Sequence, residues 1–352
     1  MSISISKYAK AVRSAVVLAA GLTAFLLSSC STIWDDQAEC DFGLHIRFKY
    51  DYNMSFGDAF ASQVGRVSVY VFDENGEFVT CRSEEGPALA EEGYRMKFEL
   101  PDGRYRLICW GGKYDGSFTH HKLVDGCTPS VELLEALMIR DADCEVKCAD
   151  GCPLNSLFWG QIASLDVKAR KIQQETLSLM KLTNQIKVNL VNGDGEPIST
   201  DAFDFHMKGD NGRICADDAG LLKDDMVKFH PYHLAERQAI GTMGADTRAT
   251  REGITAEFSC PRIMSDDKDL RLHAIDKKTG EDILDFPVAA CLASYAPTAY
   301  ETADGILHFL DPQEFLDRSD LFNLTFVLQD GNWISVDIQV LAWSMRVHNV
   351  DL

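Results

Sequence analysis

The feature that most constrains the fold of this chain is a repeated alternation of apolar and polar residues with a period of two. The alternation recurs in six stretches, at residues 44–50, 67–71, 96–100, 186–190, 203–207 and 322–328. Successive side chains of a β-strand point to opposite faces of a sheet, so each stretch predicts a strand with one buried face. Because competing helical patterns are few, the chain is expected to be all-β.

Two of these stretches belong to similar motifs. The sequence SVYVFDENGEFV (68–79) consists of a strand, a turn signal and a second strand, and FDFHMKGDNGRI (203–214) has the same layout. The Asn-Gly turns, and PDG at 101–103, are typical of β-hairpins. This internal similarity predicts two β-sandwich domains in tandem, residues 30–160 and 161–352, with the boundary directly after SLFWG.

Only two short segments carry helical signals. The sequence SVELLEALMIR (130–140) can place Val131, Leu134 and Met138 on one face of a helix. In DPQEFL, Asp311 precedes a proline at the first helical position and a glutamate three residues later, the arrangement of a capped helix start. Helices are therefore expected to be minor.

The N-terminus has the pattern of a bacterial export signal. Three basic residues within 7–13 precede an uncharged apolar stretch, 15–27, which is too short for a comfortable transmembrane helix. LSSC then looks like a lipobox, which predicts cleavage between Ser29 and Cys30 and a diacylglycerol on the Cys30 sulfur. Residues 1–29 would be a lipoprotein signal peptide. The alternative is an ordinary signal cut near Ser29, which would leave Cys30 as a free thiol.

The charge of the predicted mature chain excludes one class of partner. The whole chain has a net charge of −20, and loss of a signal with three basic and no acidic residues lowers it to −23. Proteins that bind nucleic acid contact the phosphates with clusters of Lys and Arg, so nucleic acid is not an expected partner. Anionic lipid would also be repelled, and several acyl chains would hold the protein at the membrane.

Eleven cysteines are many for a chain of this length, and export would place them where disulfides persist. The cluster CEVKCADGC holds Cys144, Cys148 and Cys152. It has no matching second pair at the spacing of a zinc site, and it lacks the histidine of a haem attachment motif. Disulfides and buried free thiols remain the two interpretations, and no metal site is predicted.

No catalytic motif is present. The sequence lacks G-x-S-x-G, a P-loop and H-E-x-x-H. Two close histidine pairs, in THHK (119–122) and HPYH (230–233), lack ligand partners at a suitable spacing and are expected to be exposed in loops. The acidic loops 192–197 and 266–269 lack the D-x-D-x-D-G periodicity of a calcium loop. No catalytic residue, cofactor or metal ligand is therefore predicted, although carboxylates brought together only by the fold would escape notice.

Several phrases occur in an order that resembles one known family. They are FKYDYNM (48–54), VYVFDENGEFV (69–79), LPDGRYRLICWGG (100–112), LFWG (157–160), LMKLTNQIKVNL (179–190), QEFLDRSDLFNLTF (313–326) and the terminal VHNVDL. Together they resemble the FimB/Mfa-type fimbrial subunits of Bacteroidales, the lipid-anchored minor subunits of type V pili. The family usually has tyrosine in place of Trp159. The resemblance covers nearly the whole mature chain and implies two transthyretin-like β-sandwich domains, assembly by donor-strand exchange and no catalysis.

The resemblance and the lipobox together imply a fimbrial anchor or accessory subunit, lipid-anchored in the outer membrane. Its partners would be other fimbrial subunits, joined by strand exchange, and the membrane, through the lipid on Cys30. Asp35, Asp36 and Glu39 are similar to signals that send lipoproteins of this phylum to the cell surface. Two alternatives remain. A tip adhesin or glycan- or host-binding lipoprotein of the same fold would expose aromatic residues in a groove, and a secreted hydrolase would need convergent carboxylates or histidines.

The C-terminal segment changes its pattern once. Apolar residues hold even positions from 334 to 340 and odd positions from 341 to 347. A slip of one residue moves every side chain to the other face of a sheet, so the chain is expected to bulge, bend or change sheets near Val340. The segment is then either a strand with a β-bulge that completes the second sandwich or an exchangeable strand that pairs with a fimbrial subunit.

Overall fold

The structure is a computed structural model of the chain and describes residues 42–119, 130–131, 134–241, 250–340 and 343–348. Ser29, Cys30 and the acidic residues that follow them lie outside this range. The described residues form 24 strands and three short α-helices, so the all-β prediction is confirmed. None of these helices is long and apolar enough to cross a membrane.

The strands of the first half are β1 (Gly43–Tyr52), β2 (Arg66–Asp73), β3 (Phe78–Glu85), β4 (Met96–Phe98), β5 (Gly103–Gly111), β6 (Phe118–Thr119), β7 (Ala136–Met138), β8 (Glu145–Val146), β9 (Phe158–Val167) and β10 (Ile172–Lys181). Those of the second half are β11 (Thr183–Asn192), β12 (Phe203–Gly209), β13 (Arg213–Ile214), β14 (Leu221–Leu222), β15 (Val227–Phe229), β16 (His233–Gly241), β17 (Thr250–Pro261), β18 (Arg271–Asp276), β19 (Asp282–Pro287), β20 (Ala299–Glu301), β21 (Leu307–Phe309), β22 (Leu321–Gln329), β23 (Asn332–Val340) and β24 (Trp343–His348). The helices are α1 (Phe60–Gln63), α2 (Val288–Ser294) and α3 (Pro312–Arg318).

The first half is a sandwich made from one seven-stranded sheet, in the order β3-β2-β5-β9-β10-β1-β4. β9 and β10 pair only at one end, where Trp159 lies opposite Met180. Beyond this pair the two strands part, and the sheet folds at this corner into two layers. Side chains of β1, β2, β5 and β10 fill the space between the layers with one apolar cluster. Gly160 lies at this corner, where a Cβ atom would come within 2.3 Å of the Ser178 carbonyl oxygen.

The second half is a sandwich of two sheets. The six-stranded sheet β16-β17-β11-β22-β23-β24 packs against the five-stranded sheet β19-β18-β12-β15-β8. The Phe286 ring of β19 reaches across, with its centroid 5.0 Å from that of Phe326 and 5.8 Å from that of Trp333, both edge-on. Such pairs stabilise a core slightly beyond the area that they bury.

The two sandwiches share one topology, as the internal similarity predicts. The layers β3-β2-β5-β9 and β10-β1-β4 of the first half correspond to β15-β12-β18-β19 and β22-β11-β17 of the second. In each half the first strand pairs in parallel with a late strand, β1 with β10 and β11 with β22. The second half adds β16 beside β17 and the hairpin β23–β24 beside β22. That hairpin has no counterpart among the described strands of the first half.

The halves are interleaved along the chain. Strands β6 and β7, which lie between β5 and β9, join β13 and β14 of the second half in a four-stranded sheet, and β8 extends the five-stranded sheet. The predicted boundary after residue 160 falls inside β9, which pairs with β5 over most of its length. The change of sheet comes instead between Lys181 and Thr183, and we propose the domain boundary there.

All six alternating stretches form strands, in β1, β2, β4, β11, β12 and β22. The prediction of one buried face fails in β2, where Ser68, Tyr70 and Phe72 are buried as well as the valines that alternate with them. The valines face the first core, whereas Tyr70 and Phe72 pack in the cluster shared with the second half.

Four local predictions have mixed outcomes. The capped helix is confirmed as α3, and Asp311 Oδ1 accepts a hydrogen bond from the Glu314 backbone N–H at 2.8 Å. The helix over 130–140 is wrong, because its residues 136–138 form β7, which pairs with β6 and β13. PDG does not close a hairpin, since β4 and β5 belong to different layers. In the second motif, the return strand β13 pairs with β7 and β14 instead of β12.

The pattern change near Val340 marks a reversal of the chain. β24 runs antiparallel to β23, and Val340 lies opposite Trp343. The prediction of a β-bulge within one final strand is therefore wrong: the even and odd apolar positions belong to two strands joined by two residues.

Candidate partner-binding edge

Arg318, the last residue of α3, joins the two halves. Its guanidinium carbon lies 4.2 Å from the ring centroids of both Tyr52 and Phe56. Its Nη1 donates a hydrogen bond to the backbone oxygen of Asp51 at 3.1 Å, and its Nε donates to Glu314 Oε1 at 2.8 Å. Cation–π contacts of this kind contribute roughly 0.5–2 kcal/mol each. They hold α3 against the end of β1.

A separate hairpin, β20–β21, packs on this stack. The His308 ring lies parallel to that of Phe56, with centroids 3.4 Å apart. The residues around it are exposed: Ile306 by 54%, Leu307 by 53% and Phe309 by 77%. Soluble proteins rarely leave clustered apolar side chains in water unless they contact a partner. The hairpin is therefore a candidate contact surface.

A groove of about 400 Å³ lies beside Arg318, between the end of β1 and strands β22 and β23. Its lining comes from both halves and includes Met54, Gln63, Asp320, Leu321, Asn323 and Gln339. Burial raises the pKa of Tyr50, which lines the groove, and that of Tyr52, which stacks on Arg318, to about 12 for Tyr52, and nearby carboxylates add to both shifts. Both phenols therefore remain neutral at physiological pH.

Polar side chains on the outer face of the six-stranded sheet lead into this groove. Thr255 Oγ1 donates to Asn189 Oδ1 at 2.7 Å, and Asn189 Nδ2 donates to Asn323 Oδ1 at 2.7 Å. Asn323 Nδ2 in turn lies 3.4 Å from Gln339 Oε1. The network fixes the side chains of β22 and β23 next to the point where β23 ends.

β24 is the last strand of the six-stranded sheet. It pairs with β23 through six residue pairs, and no other described strand pairs with it. Because a two-residue connection makes Val340 and Trp343 the closing hydrogen-bonded pair, alternate residues point their backbone groups outward. Ser344, Arg346 and His348 thus present N–H and C=O groups to the free edge. An edge of this kind is a template for another strand.

The histidines of HPYH are only partly buried, and each lies beside a carboxylate. His230 Nε2 is 3.2 Å from Glu145, and His233 Nδ1 is 3.0 Å from Asp150. Lys147 and then His230 hold the pKa of Glu145 down at about 2. The expectation of exposed loop histidines is therefore wrong for this pair, and the histidines of THHK lie outside the described residues.

The eight described cysteines are all free thiols. Burial raises the pKa of Cys109, Cys260 and Cys291, which makes these three inert core residues. The CEVKCADGC cysteines form no disulfide with one another or with any other described residue. Of the two interpretations, disulfide and free thiol, the free thiol holds for the described cysteines.

Comparison with known proteins identifies the family. Residues 37–349 match the family described as fimbrillin-A associated anchor proteins Mfa1 and Mfa2. The chain belongs to this family. The resemblance inferred from the ordered phrases is thereby confirmed, and membership gives the chain a fimbrial accessory role at the cell surface, in association with other fimbrial subunits.

Three solved structures are similar to this member of the Mfa family. A candidate polysaccharide-binding protein from Bacteroides thetaiotaomicron is 29% identical, with a TM-score of 0.72 over 88% of this chain and 99% of that chain. A candidate adhesin from the same organism is 29% identical, with a TM-score of 0.69 over 89% and 100%. The fimbrial anchor protein Mfa2 from Porphyromonas gingivalis is 17% identical and shares the fold, with a TM-score of 0.63 over 87% and 99%. No curated protein matches the sequence significantly.

Proposed function

We propose that this protein anchors a fimbrium to the outer membrane through lipid on Cys30 and holds a fimbrial subunit by strand pairing at β24. The observation that carries the proposal is the position of β24. It belongs to a hairpin that has no counterpart among the described strands of the first half, and it forms the free edge of the six-stranded sheet next to β23, whose Gln339 and Val340 line the groove. An anchor needs these two attachments and no catalytic site.

The lipid attachment rests on the LSSC motif and on the acidic charge of the body, which leaves acyl chains as the means of membrane binding. From Cys30 to Phe42, where the described residues begin, an extended chain reaches at most about 40 Å. The body would therefore stay close to the bilayer.

Replacement of the lipidated cysteine tests this attachment. Cys30→Ser is expected to release the protein from the membrane fraction or to stall its processing. Cys40→Ser is the matched control, since it removes a thiol ten residues away and should leave membrane association unchanged. Normal cleavage of Cys30→Ser with full membrane retention would contradict the lipid anchor.

An anchor must also keep its N-terminus. Polymerising subunits of the family are expected to lose theirs to a trypsin-like protease, and the basic residues available here include Arg47 and Lys49. Both lie inside β1, opposite Thr176 and Ser178 of β10, so cleavage after either would require the sheet to open. We expect mass spectrometry to find a mature N-terminus at Cys30. A chain cut chiefly after Arg47, Lys49 or Arg66 would belong with the polymerising subunits.

Strand pairing is tested by removing one outward N–H group. Arg346→Pro deletes a donor at the free edge of β24 without removing a hydrogen bond to β23, and proline is tolerated on edge strands. The variant should fold and carry lipid but retain fewer fimbriae on the cell. Arg346→Ala, which keeps the N–H group, should retain them. Equal loss in both variants would assign the effect to the side chain and contradict strand pairing, as would no loss in either.

Deletion from Ala342 separates a structural strand from an exchangeable one. A truncated chain that is folded and lipidated, yet holds no fimbriae, would support pairing with a subunit. A chain that unfolds would show that β24 is needed by its own sandwich. A folded chain that still holds fimbriae would contradict both interpretations.

The alternative function, a tip adhesin or glycan-binding lipoprotein, draws on the names of the two Bacteroides relatives. Binding of sugars would be favoured by exposed aromatic rings along a groove. Tyr50, an aromatic residue of the groove beside Arg318, is buried, and the exposed Phe309 lies on the β20–β21 hairpin and does not line the groove. The anchor function is therefore better supported.

A further inference from the structure

Three carboxylates that are distant in the sequence meet at one edge of the five-stranded sheet. Asp210 directly follows β12, and Asp267 and Asp269 lie in the loop before β18. β12 and β18 are antiparallel neighbours, so the end of one lies beside the start of the other. One oxygen from each of the three carboxylates lies within 4.8 Å of the other two.

Two buried oxygens at this place have no hydrogen-bond partner, Asp267 Oδ2 and Asn211 Oδ1. The Asn211 side chain is completely buried, and its amide nitrogen donates to the backbone oxygens of residues 261–262 at 3.5 and 3.3 Å. Its Oδ1 lies beside Gly209, the last residue of β12, and the Leu270 side chain, at the end of the loop before β18. A Cβ atom on Gly209 would lie 3.1 Å from this oxygen and 2.9 Å from the Leu270 side chain.

Asp267 lies in that loop, three residues before Leu270. Its Oδ1 accepts hydrogen bonds from the backbone N–H groups of Asp269 at 2.7 Å and Leu270 at 3.1 Å, which leaves Oδ2 without a donor. Burial, and then the charges of Asp210 and Asp269, raise the pKa of Asp267. Asp267 also adds to the raised pKa of the buried Cys260, so it lies near the segment that Asn211 contacts. The cluster therefore combines three negatively charged carboxylates with two buried oxygens that accept no hydrogen bond.

We propose that Asp210, Asp267 and Asp269, with Asn211 Oδ1, bind a calcium ion. Calcium takes oxygen ligands at about 2.3–2.6 Å, so two oxygens on one ion are at most about 5 Å apart, as these carboxylates are. Oxygen ligands on two loops suit the irregular geometry of calcium better than the strict octahedron of magnesium, and zinc prefers nitrogen and sulfur. The ion would cross-link the turn after β12 to the loop before β18. This site does not depend on the proposed strand pairing.

Calorimetric titration of CaCl₂ into the lipidated chain in detergent, after treatment with EDTA, tests the proposal. We expect one site that is half-saturated at about 0.1–1 mM calcium, the range of extracellular calcium modules. Asp267→Asn should weaken binding at least about tenfold, because it removes a charged ligand. Its amide oxygen still accepts from the N–H groups of residues 269 and 270, so the loop should fold. Asp194→Asn, in another acidic loop where Oδ1 accepts from the Glu196 N–H at 3.0 Å, is the matched control.

Thermal unfolding supplies a second test, because the same substitution should change the melting temperature differently in EDTA and in calcium. In EDTA, Asp267→Asn should melt at or above the parent temperature, because it relieves repulsion between carboxylates. In calcium it should melt below the parent, which the ion stabilises. Asp269→Asn provides the same comparison if Asp267→Asn fails to fold. The proposal is overturned if the parent binds no calcium up to about 10 mM, well above that range, or if both site variants bind as tightly as Asp194→Asn.

Discussion

Arg262 and Asp317 form a buried bidentate ion pair that fixes α3 to the second sandwich. Nε and Nη2 of Arg262 donate to the two carboxylate oxygens at 2.7 and 2.6 Å, and Nη1 donates to the Ala219 backbone oxygen at 2.6 Å. Gln313 Nε2 donates to Asp317 Oδ1 at 3.0 Å. Both charged residues are only 8% exposed. The ion pair is thus shielded from water, and both carboxylate oxygens of Asp317 accept hydrogen bonds.

Asp317→Asn is expected to lower the free energy of unfolding by about 3–5 kcal/mol, because Arg262 would remain buried with an unbalanced charge. This is a large part of the roughly 5–15 kcal/mol that stabilises a typical domain. At roughly 2–4 °C per kcal/mol for a domain of this size, the melting temperature should fall by about 6–20 °C. Urea unfolding followed by circular dichroism measures the free energy, and a thermal scan measures the temperature.

A surface pair provides the control. Arg104 Nε lies 3.2 Å from Asp166 Oδ1, with side chains 59% and 68% exposed, so Asp166→Asn should cost less than about 1 kcal/mol. The double variant Arg262→Met with Asp317→Leu should recover most of the loss, since it also removes the cost of burying two charges. A cost for Asp317→Asn as small as that of Asp166→Asn would refute the argument.

Three further predictions concern the corner, the buried histidine and the apolar hairpin. Gly160→Ala should lower the urea midpoint of unfolding, because the new Cβ atom would overlap a backbone oxygen of β10. Gly93→Ala is the control, since Gly93 has open space around it, and equal midpoints for the two variants would contradict the prediction. Burial and His273 lower the pKa of His206 from 6.5 to about 4, so the stability it contributes is present above pH 6.5 and is lost as the pH falls toward 4. His206→Phe should reduce the drop in melting temperature between about pH 7 and pH 4.5, and an unchanged drop would count against it. Phe309→Asp should leave the melting temperature unchanged and reduce the fimbriae retained on cells; full retention would remove the hairpin from the contact surface.

The sequence by itself determined the features that depend on near neighbours. The period of two located β1, β11 and β22, since a strand exposes alternate side chains whatever its partner. Asp311 marked the start of α3, because a helix cap is made within four residues. Ordered phrases along the chain resembled the family to which it belongs.

Only the tertiary structure decided which strands pair and what covers them. Tyr70 and Phe72 of β2 are buried because the second half packs on the outer face of the first sandwich, which no local pattern encodes. Residues 136–138 form β7 because β6 and β13 supply hydrogen bonds that outweigh a helical pattern. Asp210 meets Asp267 and Asp269 only because β12 and β18 are neighbours. The physical reason is common to all three: these contacts join residues far apart in the chain, whereas periodicity and capping report only on residues a few positions apart.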